Sequence, residues 1–247
     1  MRHVRTRHDR PWHERLGMSS THLDGMDVVR AQAFSVPVAP TALGYRIAKR
    51  SVDVAAAGLA LLVTSPILLA IAAAVRLETH GPILFRQQRV GLGGRPFTLL
   101  KFRSMDAAAD EAAHRAYVTK LLRREGAPGA TWTPIADDRR ITRVGSFLRR
   151  SHLDELPQLI NIVRGDMSLV GPRPPIPYEV ELYEPWQLRR LAVVPGLTGL
   201  WQATAWGRVS FDEGVKLDLE YIERRSFWYD LSLLVRTAWQ IVRGRQF

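Results

Sequence analysis

The longest apolar stretch of the chain runs without a charge from Val54 to Val75, VAAAGLALLVTSPILLAIAAAV, and predicts a helix. At about 1.5 Å per residue it extends roughly 33 Å, enough to cross a hydrocarbon core of about 30 Å. Pro66 sits in its middle, preceded by Thr64 and Ser65. Proline removes one helical donor and kinks the chain, while nearby hydroxyls can re-satisfy the freed backbone. Each arm is then about 18 Å long, roughly one leaflet deep. Arg46, Lys49 and Arg50 precede the segment, and Arg76, Arg86 and Arg89 follow it. Basic flanks prefer the cytoplasmic side, so a re-entrant hairpin is favoured over a straight crossing.

The pattern on either side is different. Residues 1–42 are rich in Arg, His, Ser and Pro with no sustained period, and read as a disordered basic arm. No apolar run follows its first charges closely, so it is not a secretory signal. After Arg76, two short apolar runs flank Gly91-Leu92-Gly93-Gly94 and predict a β-hairpin. A helix is expected over 106–124, a loop over Gly126–Thr133, and a second helix over about 153–164, ending at Gly165. The prolines from Pro172 to Pro177 impose an irregular extended path. Near the C-terminus, Leu231, Leu234, Val235, Ala238, Ile241 and Val242 share one helical face with Arg236 and Arg243 opposite. That is an amphipathic helix, docked on the core or lying in a membrane interface.

Composition narrows the chemistry. The 247 residues include no cysteine, which removes disulfides, thiolate metal sites and a Cys nucleophile. A formal charge of +11 suits an anionic partner: a membrane face, a phosphorylated substrate or a nucleic acid. The excess is arginine, whose planar fork matches phosphate, although a GC-rich genome produces the same bias. The histidines show no ligand spacing, and no G-x-x-x-x-G-K-[ST] occurs.

The densest cluster lies in RRSHLDELPQLINIVRGDMSLVGPRP, residues 149–174. Two adjacent carboxylates, Asp154 and Glu155, stand among Arg149, Arg150, Arg164 and Arg173. At a helix start both can reach one ion, and carboxylates with substrate phosphates are the usual way to hold Mg²⁺. An aspartate can also attack phosphorus. The plain alternative is that acidic residues in a first helical turn stabilise its dipole.

The string SHLDELPQLINIVRGDMSLVGPRP resembles the core signature of the bacterial sugar transferase family, the monotopic phosphoglycosyl transferases. So do FRQQRVGLGGRPF at 85–97, KFRSM at 101–105, TRVGSFLRR at 142–150, PGLTGLWQ at 195–202 and LDLEYI at 217–222. The blocks occur in the family's order over about residues 44–245.

The resemblance implies that Asp154 is a nucleophile toward the sugar-bearing phosphorus of a UDP-sugar, expelling UMP. Polyprenyl (undecaprenyl) phosphate then takes the phosphosugar from Asp154, the first membrane step of exopolysaccharide, capsule or glycoconjugate biosynthesis. It also implies Mg²⁺ held by Glu155 with Asp154, and substrate or phosphate contacts from Lys101, Arg103, Arg149, Arg173, Arg208 and Asp218. Ser65-Pro66 matches the break of the family's re-entrant helix. Two positions depart from the pattern: Val194 replaces the Arg common before PGLTG, and in ATAWGR Trp206 takes the usual Arg position, with Arg208 two residues late.

The expected fold class is accordingly α+β and helix-rich, in three parts. These are a basic arm over 1–42, a membrane-embedded helix broken at Pro66 over 43–80, and a catalytic domain over 81–247 on the cytoplasmic face of a bacterial plasma membrane, with amphipathic interfacial helices. The expected partners are a UDP-sugar, polyprenyl phosphate and membrane lipids, and no nucleic acid. A homodimer is left open. A membrane-tethered polyanion binder is the rival from another class, but such a protein gains nothing from two carboxylates set among arginines. A catalytically dead scaffold is the third reading, opposed by the intact Asp154, Glu155 and Arg173.

Overall fold

The computed structural model describes residues 36–105, 112–122, 140–205 and 207–243. Most of the expected basic arm, the Gly126–Thr133 loop, the start of the 106–124 helix and Trp206 lie outside the described residues. Within them the chain is helix-rich, with two small two-stranded sheets. The end of the arm is not free: the Ala39 amide donates to the Ala192 carbonyl at 2.9 Å, and Arg225 donates to Pro40 O and Thr41 Oγ1, both at 2.8 Å.

Helix α1 spans Leu43–Glu78, with Pro66 inside it. By length and composition it is apolar enough to cross a membrane. Pro66 has no N–H to give the Leu62 carbonyl one turn back. The Ser65 hydroxyl donates to that carbonyl at 2.8 Å, and the Thr64 hydroxyl donates to Ala60 O at 2.6 Å. Ser65-Pro66 thus lies inside this helix, where hydroxyls re-satisfy freed carbonyls as expected and the helix runs on to Glu78. Asp53, Ala57, Ile71 and Val75 are buried, whereas Leu59, Leu62, Val63, Ile67 and Leu69 are exposed.

Both ends of α1 rest on one globular body. Strands β1 (Leu84–Val90) and β2 (Pro96–Phe102) form the expected antiparallel hairpin, paired from Leu84↔Phe102 to Val90↔Pro96. Gly93, at φ 60, makes its turn in a conformation that side chains disfavour. Helix α2 covers Ala112–Leu122 and α3 covers Arg143–Ser151. The Glu78 carboxylate, at the end of α1, accepts the Val144 amide at 3.1 Å and so ties α1 to the start of α3. Gly145 is required there, because a Cβ would lie 2.0 Å from the Ser104 carbonyl oxygen. Ile71 and Val75 pack with Phe102 and Leu148. At the other end Ala57 packs with Leu99, Leu159, Ile162 and Met167.

The helix expected over 153–164 is two elements. A 3₁₀ turn spans Leu153–Glu155, and α4 runs Gln158–Arg164 after Pro157. His152 separates the turn from α3 in the left-handed region, at φ 57. Gly165, at φ 96, ends α4 as expected. Buried Asn161 docks α4 on the hairpin, accepting from the Leu100 amide at 3.0 Å and donating to Thr98 O at 2.8 Å.

Strand β3 (Ser168–Val170) pairs in parallel with β4 (Gly196–Thr198). Short helices α5 (Pro177–Val180), α6 (Pro185–Leu188) and α7 (Leu200–Thr204) precede α8 (Phe211–Arg224), which opens on a Ser210–Glu213 capping box.

The last helix, α9, spans Phe227–Val242. It is amphipathic as expected, but its docked side carries Asp230 and Leu233, with Thr237 bonded to Thr198 at 2.8 Å. The apolar stripe Trp228, Leu231, Val235 and Trp239 faces outward.

Candidate active site

The 3₁₀ turn holds the carboxylates where strand β2 and the segment after β3 approach each other. Asp154 points inward and is 7% exposed, while Glu155 is half-buried and ion-paired with Lys101 of β2. Burial raises the Asp154 carboxyl above its ordinary value. Lys101, Arg149 and His152 oppose that rise, and the Glu155 charge adds to it. For Glu155 burial acts upward too, but Lys101 outweighs it, with help from Arg173 and His152, and holds the carboxyl below its ordinary value. Adjacent acids are thus pushed apart: Asp154 takes a proton first as pH falls, and Glu155 keeps its charge.

Of the residues singled out in the sequence, Asp154, Glu155, Lys101, Arg149 and Arg173 share one electrostatic neighbourhood. Of the other three, Asp218 feels the Arg173 charge, while Arg103 and Arg208 lie elsewhere. Arg103 is buried against the end of α1, donating to Thr79 O at 2.9 Å and His80 O at 3.1 Å, the two carbonyls just past that helix. Arg208 is exposed beside the ATAWGR turn. Asp218 lies inside the body, 1% exposed, in a 2.5 Å pair with Arg190. Burial pushes its carboxyl up to about 6 against the pull of Arg190. Arg89, read from the sequence as a flanking charge of the membrane segment, is also internal, at 6% exposure.

Sequence reasoning missed the supporting residues Arg190, Arg89 and His152. A buried guanidinium looks like any surface arginine in a basic chain. Only the αL demand at His152, between the end of α3 and the acidic turn, leaves a local trace, and histidine is among the side chains that tolerate it.

Adjacent carboxylates with opposed titration, beside the charges of Lys101, Arg149 and Arg173, form an arrangement that can take phosphate oxygens as well as present an acid. Beside it lies a long apolar helix. Comparison with known proteins narrows this class. Residues 44–244 match the family model described as bacterial sugar transferase. Over 194 residues the chain is 40% identical to the exopolysaccharide production protein ExoY of Rhizobium meliloti, covering 77% of this chain and 84% of that one. It is 42% identical to the UDP-glucose:undecaprenyl-phosphate glucose-1-phosphate transferase of Caulobacter vibrioides, covering 77% of this chain and 68% of the relative. It is 40% identical to the galactosyl transferase CpsE of Streptococcus agalactiae over 81% of this chain, but spans only 43% of that longer protein. The chain belongs to the bacterial sugar transferase family and is an enzyme of the transferase class.

Proposed function

We propose that this protein transfers a sugar-1-phosphate from a UDP-sugar to undecaprenyl phosphate, with release of UMP, through a phosphosugar carried on Asp154. The observation that carries the reading is the split between the two acids, Asp154 inward beside cations and Glu155 held ionised by Lys101. The named activities of the relatives from Caulobacter vibrioides and Escherichia coli support the overall reaction.

In the first step an Asp154 carboxylate oxygen forms a bond to the sugar-bearing phosphorus. The bond from that phosphorus to the bridging oxygen breaks, and UMP leaves with the electron pair. In the second step an oxygen of undecaprenyl phosphate attacks the same phosphorus and Asp154 is released unchanged. Lys101, Arg149 and Arg173 surround the oxygens on which charge gathers, and fixed cations in such a site need no reorganisation as it develops. Burial of Asp154 favours attack by removing water from its carboxylate.

The donor set fits Mg²⁺. Among the described residues no group of three or more His, Asp or Glu could form a protein cage, and Mg²⁺ is commonly held by one or two carboxylates plus substrate phosphates. Glu155 and Asp154 would hold it, and it would neutralise phosphate charge when bound.

Attachment to the membrane follows from α1 and α9. Lys49 and Arg50, before the apolar run, reach Asp230 and the carbonyls of Ile162 and Val163, and Glu78, after it, reaches α3. One body engaged at both ends of the helix supports a same-face insertion, and the basic flanks favour the cytoplasmic side. The outward Trp228, Leu231, Val235 and Trp239 then meet the lipid interface.

Purified protein given Mg²⁺, undecaprenyl phosphate and a panel of UDP-sugars should release UMP with at least one sugar, and Asp154→Asn should abolish it. Sustained turnover by the Asn variant, with deamidation excluded, would remove Asp154 from the role of nucleophile.

A further inference from the structure

Resting on that reading, we infer that Arg89 and Arg190 are positioning residues that clamp the backbone at Arg173 and at the residue after it, and thereby aim Arg173 at the carboxylate pair. The segment Pro172-Arg173-Pro174-Pro175 has a single N–H in four residues, so it has almost no donors with which to anchor itself. It is held by its carbonyls instead. Pro172 O accepts from the Gly196 amide at 2.9 Å, and Pro175 O accepts from the Val90 amide at 2.9 Å. Between them Arg173 O accepts from Arg190 Nη2 at 3.2 Å, and Pro174 O accepts from Arg89 Nη1 at 2.9 Å.

Four successive carbonyls are thus fixed from β4, β1 and the 3₁₀ turn Arg189–Ala192. Behind them the chain passes so close to β4 that a Cβ on Gly196 would lie 2.0 Å from the Gly171 nitrogen. The Arg173 side chain leaves from this fixed backbone, and its charge acts on Glu155.

The two clamping arginines are themselves pinned. Arg190 is 3% exposed, paired with Asp218 at 2.5 Å and bonded to the Tyr183 hydroxyl at 3.0 Å. The Tyr183, Trp201 and Phe211 rings enclose its guanidinium at 5.9, 5.8 and 6.0 Å. Arg89 is held by Gln87 Oε1 at 2.6 Å. Burial and the nearby Arg173 charge lower the Arg89 guanidinium to about 10, so Arg89 and Arg173 lie close enough to repel. Neutral side chains would have satisfied two carbonyls without that repulsion. Cationic donors beside Arg173 make sense where a polyanionic substrate offsets them. The buried Asp218 gains a role as well: it fixes Arg190 rather than touching substrate.

A double-mutant cycle separates this role from general support of the fold. Arg190→Lys and Arg89→Lys keep the charge and lose the planar fork. Each should lower kcat/KM for UMP release by about 10- to 100-fold, the loss expected when a reacting group is misplaced by about 1 Å. In an Arg173→Ala background the same substitutions should change the remaining rate by less than about twofold, because a clamp has nothing left to aim. Equal losses in both backgrounds, or Lys variants as active as the parent, would overturn the inference. The two arms are independent, so if Arg190→Lys does not fold, Arg89→Lys carries the same cycle. If the parent releases no UMP, the proposed reaction fails and the clamp is read from hydrogen exchange of the Gly196 amide, which donates to Pro172 O. Arg190→Lys should then speed that exchange about tenfold with the hairpin amides unchanged, and an unchanged rate would overturn the clamp.

Discussion

Removing the Asp230 carboxylate should loosen the membrane helix from the body that carries the active site. Asp230 sits near the start of α9 and gathers three donors: Lys49 Nζ at 2.7 Å and the Tyr45 hydroxyl at 3.0 Å, both from α1, and the Tyr221 hydroxyl at 2.8 Å, from α8. The Lys49 and Asp230 side chains are 18% and 11% exposed, so solvent screens the pair only weakly. Deleting one partner of a buried pair costs about 3–5 kcal/mol, mostly from the charge left behind, and the residual exposure puts Asp230→Ala near the lower figure. Tyr221 softens the loss, since its hydroxyl can still donate to Val170 O at 3.0 Å. For a body of roughly 200 residues, about 3 kcal/mol corresponds to a Tm lower by roughly 6–12 °C. Thermal unfolding in detergent measures that shift, and hydrogen exchange over 43–57 shows whether the α1 docking is what opens. Lys49→Met added to Asp230→Ala should recover much of the loss, because it removes the orphaned charge. An unchanged Tm and exchange pattern in Asp230→Ala, or no recovery in the double variant, would refute the reasoning.

Further outcomes follow from other parts of the molecule. Gly214→Ala should lower stability by about 1–3 kcal/mol or more, because its Cβ would lie 2.2 Å from the Trp201 indole, and a thermal melt reads this directly. The raised Asp154 carboxyl should set the acid limb of kcat/KM: activity is present above that value and lost as pH falls through it, earlier than an ordinary aspartate would allow. Lys101→Met removes a charge that holds this value down, so the limb of any residual activity should move to higher pH. The lowered Glu155 has the opposite linkage, its stabilisation complete above the ordinary 4.5 and lost only as pH falls through the lower folded value, which acid unfolding of Glu155→Gln should show. Cysteines placed at exposed Val38 and Arg224 of this cysteine-free chain should both escape an impermeant thiol reagent in intact spheroplasts, whereas labelling of one alone would mean a true crossing.

What could be read in advance followed local rules. The hairpin was visible because two apolar runs bracket Gly91-Leu92-Gly93-Gly94, and the αL stop at Gly165 because few other residues accept φ 96. The acidic pair with Lys101, Arg149 and Arg173 was visible as clustered chemistry and as a resemblance to a family. Periodicity showed that the last helix is amphipathic but left open which side docks. In α9 the docked side includes Thr237, and the apolar stripe looks outward, so the strongest face in the pattern is not the packed one. Long-range pairs left no trace at all. Arg190 and Asp218 are separated by 28 positions, and Arg89 and Pro174 by 85, yet these contacts bury Asp218 against Arg190 and turn Arg89 inward from the flank of α1. The continuity of α1 through Pro66 depended on which carbonyl the Ser65 hydroxyl reaches, a choice that composition does not specify.

The central claim is the covalent phosphosugar on Asp154, and intact-protein mass spectrometry tests it most directly. Enzyme mixed with its UDP-sugar and Mg²⁺, without lipid acceptor, should gain the mass of one phosphohexose, mapped by fragmentation to Asp154 and discharged when undecaprenyl phosphate is added. UMP release that waits for the lipid, with no adduct on the parent enzyme and none trapped on rapid quenching, would contradict the account and point to direct transfer between the two substrates.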